Sequence, residues 1–134
     1  MKELVLPALL ENLDPLIQFI LEGARESGYD ENTIAELHLV AEEAMVNIIN
    51  YAYEGGSGDI TLTVGSGNGM FSINIKDGGK AFNPLEKEDP DITIPIEDRP
   101  IGGLGIFLIR KIMDDLAYAR VDDTNILTLK KKLP

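Results

Sequence analysis

Glu43 and Asn47 stand four residues apart in the run Glu42-Glu43-Ala44-Met45-Val46-Asn47-Ile48-Ile49-Asn50-Tyr51, so a helix would stack them on adjacent turns of one face. A carboxylate there can take a proton from a hydroxyl, and an amide oxygen suits a hard cation such as Mg²⁺, which keeps several of its waters. Asn is a weak helix former, so Asn47 and Asn50 together on one polar stripe hint that their amides are used. Asp77-Gly78-Gly79 places a second acid at a strand end, followed by permissive backbone, where a carboxylate could accept a hydrogen bond from an exocyclic amine. Gly102-Gly103-Leu104-Gly105 precedes an apolar run, and the open N–H groups and dipole of a helix start favour phosphate. It is no Walker loop, since no Gly-Lys-Ser or Gly-Lys-Thr closes it, nor does it follow a strand as a dinucleotide fingerprint should. Taken singly these are a solvated helix face and two turns. Taken in order they suggest a nucleotide site.

The elements that must position them are legible from periodicity. Lys2 to Pro7 reads as a short strand, and Leu9 to Ser27 as a helix with Leu13, Leu16, Ile17, Ile20, Leu21 and Ala24 on its apolar face and Gly28 as its stop. Asp30 or Asn32 caps the next helix, which runs to about Tyr53 with Ile34, Leu37, Ala41, Ala44, Met45, Ile48 and Ala52 inward and Glu43, Asn47, Asn50 and Glu54 on another stripe. Ile60 to Val64 and Met70 to Lys76 alternate with period two and read as a hairpin joined by Gly65 to Gly69. Ala81 to Pro100 holds Pro84, Pro90, Pro95 and Pro100 and reads as a long lid-like loop. A helix from Ile106 to Leu116 follows, then strands Ala117 to Val121 and Ile126 to Leu133 around Asp122-Asp123-Thr124-Asn125. The order suggests an α+β fold in one domain, 1–134, with a mixed sheet covered by helices on one face.

Composition narrows the function. At 134 residues the chain is long enough to bury roughly two thirds of its unfolded surface. Asp and Glu number 23 against 12 Lys and Arg, a formal charge of −11, so the average field repels nucleic acid and anionic lipid. A nucleotide would have to be neutralised locally, by a metal ion, backbone N–H groups or a few placed cations. There is no cysteine, hence no disulfide, thiolate nucleophile or Cys-based zinc site, in keeping with a reducing cytoplasm. No run approaches the ~20 apolar residues of a membrane span.

With these motifs in order, the chain resembles the Bergerat-fold ATP-binding superfamily, and most closely its small anti-sigma factor serine kinases. Glu43 to Asn47 matches the Glu-x-x-x-Asn of the first box; Asp77, Gly79, Phe82 and Pro84 match the second; Gly102 to Ile109 matches the third; and Asn125 to Lys131 is similar to the last strand. The resemblance covers nearly the full chain and implies a two-layer α/β sandwich. It implies Glu43 as general base, Asn47 as a ligand of Mg²⁺, Asp77 as acceptor for the adenine amino group and Gly79 as room for the base. Gly103 and Gly105 would line the phosphates and Thr128 would support the adenine pocket. Lys80 or Arg99 could meet phosphate. The chain departs from the family pattern at Tyr51, where a histidine often follows the Asn, at Asn83, where an acid commonly precedes the proline, and in the lid run Glu97-Asp98-Arg99.

The resemblance therefore implies an ATP-dependent protein serine kinase that phosphorylates an anti-sigma-factor antagonist, sequesters a sigma factor and forms a homodimer. The alternative is a non-catalytic module in which ATP orders Ala81 to Pro100 to shape a docking surface. A detached catalytic domain of a histidine kinase fits less well: the single histidine, His38, lies on the helix that carries Glu43 and reads as a helix-face residue.

Overall fold

Asp30 opens the longest helix by accepting a 2.8 Å hydrogen bond from the Thr33 N–H, which satisfies one of the donors a first turn leaves unpaired. The same bond holds the Asp30 carboxyl below its ordinary range. The computed structural model describes residues 1–54, 56–86 and 103–134. In it β1 is Lys2–Pro7, α1 Leu13–Glu26, α2 Glu31–Tyr51, β2 Asp59–Gly67, β3 Met70–Asp77, α3 Gly103–Ile112, β4 Asp115–Val121 and β5 Thr124–Lys132. Most of the expected lid, with Arg99 and the Glu97-Asp98-Arg99 run, lies outside the described residues, as does Gly102.

The five strands form one sheet in the order β1-β2-β3-β5-β4, and all four pairings are antiparallel rather than mixed. Connectivity explains this correction. Two helices carry the chain from β1 back to the end it left, so β2 runs against β1; α3 alone returns it along the sheet, so β4 rises and β5 descends beside β3. Strand alternation sends Ile60, Leu62 and Val64 of β2, with Phe71, Ile73 and Ile75 of β3, toward the helices. They meet Leu16 and Ile20 of α1 and Leu37 and Met45 of α2, all fully buried. Each such side chain contributes about 1.5–3 kcal/mol by leaving water. Tyr29 seals the far end of this core, its ring edge-on to Phe71 at 5.9 Å and its hydroxyl donating to the Lys131 and Lys132 carbonyls.

Among the boundaries that differ from expectation, three stand out. The first helix starts at Leu13, after a separate 3₁₀ turn over Leu10–Asn12. The hairpin loop shrinks to Asn68-Gly69, both at positive φ (54° and 78°), because Gly65, Ser66 and Gly67 continue the ladder opposite Ser72, Phe71 and Met70. The last helix stops at Ile112, whose carbonyl accepts from the Lys131 ammonium at 2.8 Å, and Leu116 belongs to β4 instead. Among the described residues no helix is long and apolar enough to cross a membrane.

Candidate active site

Register brings the chemistry to one end of the sheet. Ile60 lies opposite Asp77, and Asp77 lies opposite Asn125, so the end of β3 and the start of β5 meet beside the C-terminal turns of α2. Asp77 follows Phe71, Ile73 and Ile75 on the helix-facing side but stands one step past the apolar core, 7% exposed. A cavity of about 310 Å³ opens there between α2, α3, the segment after β3 and strands β4 and β5.

Glu43 and Asn47 both line this cavity, one turn apart on α2, with Asn50 and Tyr51 further along the same helix. Glu43 is exposed and Asn47 half-buried, and neither side chain hydrogen-bonds to another described residue. Their polar atoms are therefore available to whatever enters. Ile106 and Ile109 of α3, Leu127 of β5 and Phe82 supply apolar walls suited to a flat ring.

Asp77 accepts two hydrogen bonds at Oδ1, from the Gly79 N–H and from the Asn125 amide, each 3.0 Å. No described residue bonds to Oδ2, which leaves one carboxylate oxygen for a donor in the cavity. Gly79 itself is absent from the lining. A Cβ there would lie 2.3 Å from the Ala52 carbonyl oxygen and 2.6 Å from its carbon, so the small residue is required by the close approach of α2, in addition to any approach of a base. Ala52 O in turn accepts from Lys80 N at 2.9 Å.

Gly103 and Gly105 occupy the first turn of α3, the helix whose Ile106 and Ile109 wall the cavity. Thr128 does not join the cluster. Side chains alternate along β5, so Thr128 falls on the opposite face from Asn125 and Leu127, and its hydroxyl accepts from the Asn74 amide at 3.1 Å. Lys80 reaches the rim, yet its ammonium pairs with Glu54 at 2.7 Å.

The residues missed in the sequence are those that hold Asp77. Asn125, 6% exposed, was read only as part of a turn and of a strand start; the period-two pattern Leu127, Leu129 places it on the inward face and was the available signal. Tyr118 donates to Asn125 Oδ1, and Arg120 donates both to that oxygen at 2.9 Å and to the Gly79 carbonyl at 3.0 Å. From the other side, the Tyr53 hydroxyl accepts from Gly78 N at 2.6 Å and donates to the Asp59 carbonyl at 2.7 Å. Burial pushes the Tyr53 hydroxyl above its ordinary pKa.

An acid and an amide on a helix, a half-satisfied buried acid at a strand end and an apolar slot between them share one cavity. Residues 6–131 match the histidine kinase-like ATPase domain, and the chain belongs to that family. Within it, the chain is similar to kinases acting on serine. It is 31% identical over 133 residues to the serine-protein kinase RsbW of Bacillus cereus, covering 96% of this chain and 82% of that protein. It is 30% identical to the serine-protein kinase RsbW of Bacillus thuringiensis over the same shares.

Solved structures agree on the fold. The catalytic domain of histidine kinase ThkA superposes with a TM-score of 0.58 at 17% identity, over 99% of this chain and 97% of that one. The blue-light activated histidine kinase of Erythrobacter litoralis EL346 gives 0.56 at 18%, over 93% and 42%. The two-layer α+β sandwich expected from the sequence is the fold of this family.

Proposed function

We propose that residues 1–134 act as a single ATP-binding domain that phosphorylates serine on a protein partner. The observation that carries this reading is the shared cavity. Glu43 and Asn47, both without partners among the described residues, face the same 310 Å³ space as Asp77 and its free oxygen. Relatives named serine-protein kinases, which align over almost the whole chain, support this reading. On this reading, following the resemblance of the motifs, the phosphoacceptor is an anti-sigma-factor antagonist and a sigma factor is the second partner, bound by a cytoplasmic homodimer.

Asp77 Oδ2 would accept a hydrogen bond from the exocyclic amine of adenine, while Phe82, Ile106 and Leu127 would exclude water from the ring. Asn47, whose amide makes no hydrogen bond to a described residue and faces the cavity, would offer Mg²⁺ one neutral oxygen. When bound, ATP supplies the phosphoryl group and Mg²⁺ neutralises the charge that develops on it. Glu43 accepts the proton of the attacking serine hydroxyl, and the open N–H groups of the first turn of α3, at Gly103 and Gly105, favour the phosphate oxygens. In a chain of net charge −11 these placed dipoles provide the local neutralisation a triphosphate needs.

The test is transfer of labelled phosphate from ATP to a candidate antagonist. Glu43→Gln keeps size and hydrogen bonding but removes the base, so transfer falls by roughly 10² to 10⁴ while ATP binding persists. ATP binding with no transfer to any antagonist by the wild type would leave a nucleotide-dependent docking module. Transfer by the Gln variant at the wild-type rate would remove Glu43 from the mechanism.

A further inference from the structure

Asn125 is buried and uses every hydrogen-bonding position its amide possesses. Nδ2 donates to Asp77 Oδ1 at 3.0 Å and to the Lys80 carbonyl at 2.8 Å. Oδ1 accepts from the Tyr118 hydroxyl and from Arg120 Nη1. The amide has one sensible orientation, because a flipped group would set its oxygen against a carboxylate and a carbonyl and its NH₂ against a hydroxyl and a guanidinium. With two donors and two acceptor positions filled, Asn125 has nothing left to offer a ligand. Its work is done on its neighbours.

The consequence falls on Asp77. The Asn125 amide and the Gly79 N–H both hold Oδ1, so the carboxylate cannot swing, and Oδ2 is the atom left toward the cavity. An ionised carboxylate held this way is acceptor-only. It matches a purine whose 6-position carries an amine and opposes one whose 6-position carries a carbonyl. Arg120 extends the same restraint to the Gly79 carbonyl, and Asn125 extends it to that of Lys80, so the backbone leaving Asp77 is held by β4 and β5.

We infer that Asn125 is a positioning residue that sets selectivity for 6-aminopurine nucleotides by pinning Asp77 as an acceptor-only group. The inference rests on the nucleotide reading of the cavity and goes beyond it, since it assigns base selectivity to a side chain that lines the cavity but spends all its hydrogen bonds on the protein. Thr and Val make the informative pair of substitutions. They share shape, but only Thr keeps a hydroxyl able to donate across the strand pair to Asp77, the residue directly opposite. A role in packing alone would not separate them.

The experiment is calorimetric titration of the full chain with ATP and with inosine triphosphate, which differs at the 6-position, in MgCl₂. Thermal melts establish that each variant is folded. Wild type and Asn125→Thr are expected to prefer ATP. Asn125→Val should lose about tenfold or more in ATP affinity, the worth of a hydrogen bond to a charged group, with a much smaller change for inosine triphosphate. Equal selectivity in the Thr and Val variants, with ATP still bound by the wild type, overturns the inference and leaves the nucleotide site standing. Wild type that binds neither nucleotide overturns both. If Val does not fold at this position, Asn125→Ser and Asn125→Ala carry the same comparison with smaller side chains.

Discussion

Asp77→Asn is the most informative single change, because the geometry separates its effect on binding from its effect on folding. The amide that replaces the carboxylate keeps an oxygen where Oδ1 now accepts from Gly79 N and Asn125 Nδ2, since the reverse orientation would oppose NH₂ to two donors. Both internal bonds survive, weakened by loss of charge, while the cost of holding a charge at 7% exposure disappears. These terms oppose each other, so stability should change by about 1 kcal/mol or less, a few degrees in melting temperature for a domain of this size. In the cavity, however, the free acceptor becomes an NH₂ donor. Losing a hydrogen bond to a charged acceptor is worth about 1.5–3 kcal/mol, or roughly 10- to 150-fold in ATP affinity. Inosine triphosphate should be spared or improved, because its 6-carbonyl now meets a donor. Titration calorimetry with both nucleotides, paired with thermal melts, reads the three quantities. Equal losses for the two nucleotides, or a melting shift that outweighs the binding loss, would refute the placement of Asp77 against the 6-position.

Other perturbations follow from the same contacts. Asn47→Ala deletes a side chain with no hydrogen bond to a described residue and replaces it with a better helix former, so stability should rise by a few tenths of a kcal/mol while the enhancement of ATP binding by Mg²⁺ falls, as read by titration with and without the ion. Gly79→Ala drives a methyl to within 2.3 Å of the Ala52 carbonyl, which is itself held by Lys80 N, and should cost about 3 kcal/mol in urea unfolding even without nucleotide. Asp30 has its pKa lowered by the Thr33 bond, so its contribution is present above the unfolded carboxyl value near 4 and is lost as pH falls through the folded value. Asp30→Asn should accordingly flatten the acid limb of a melting-temperature profile, and an unchanged limb would show that the cap does not govern it.

Much of this protein is written in local patterns. The 3.6-residue period of Leu16, Ile17, Ile20 and Leu21 and the alternation through β2 and β3 depend on residues within a few positions of one another and appear in the structure, and of the two candidate caps, Asp30 and Asn32, Asp30 is the one that caps. Glu43 and Asn47 were legible for the same reason, since helix geometry alone puts them on one face. Asp77 was recognisable by its glycines, and its position at a strand end held. The antiparallel pairing of β1 with β2 and of β3 with β5, the pairing of Lys80 with Glu54 and the clash that demands Gly79 were not visible, because each joins segments more than twenty residues apart. The exchange of Thr128 for Asn125 shows the cause most clearly. Strand side chains alternate with a period of two, so whether a polar residue on β5 meets the cavity or the outer face turns on a register step of one residue. That step is decided by which residue of β3 lies across from it, and only the assembled sheet sets Asn125 opposite Asp77.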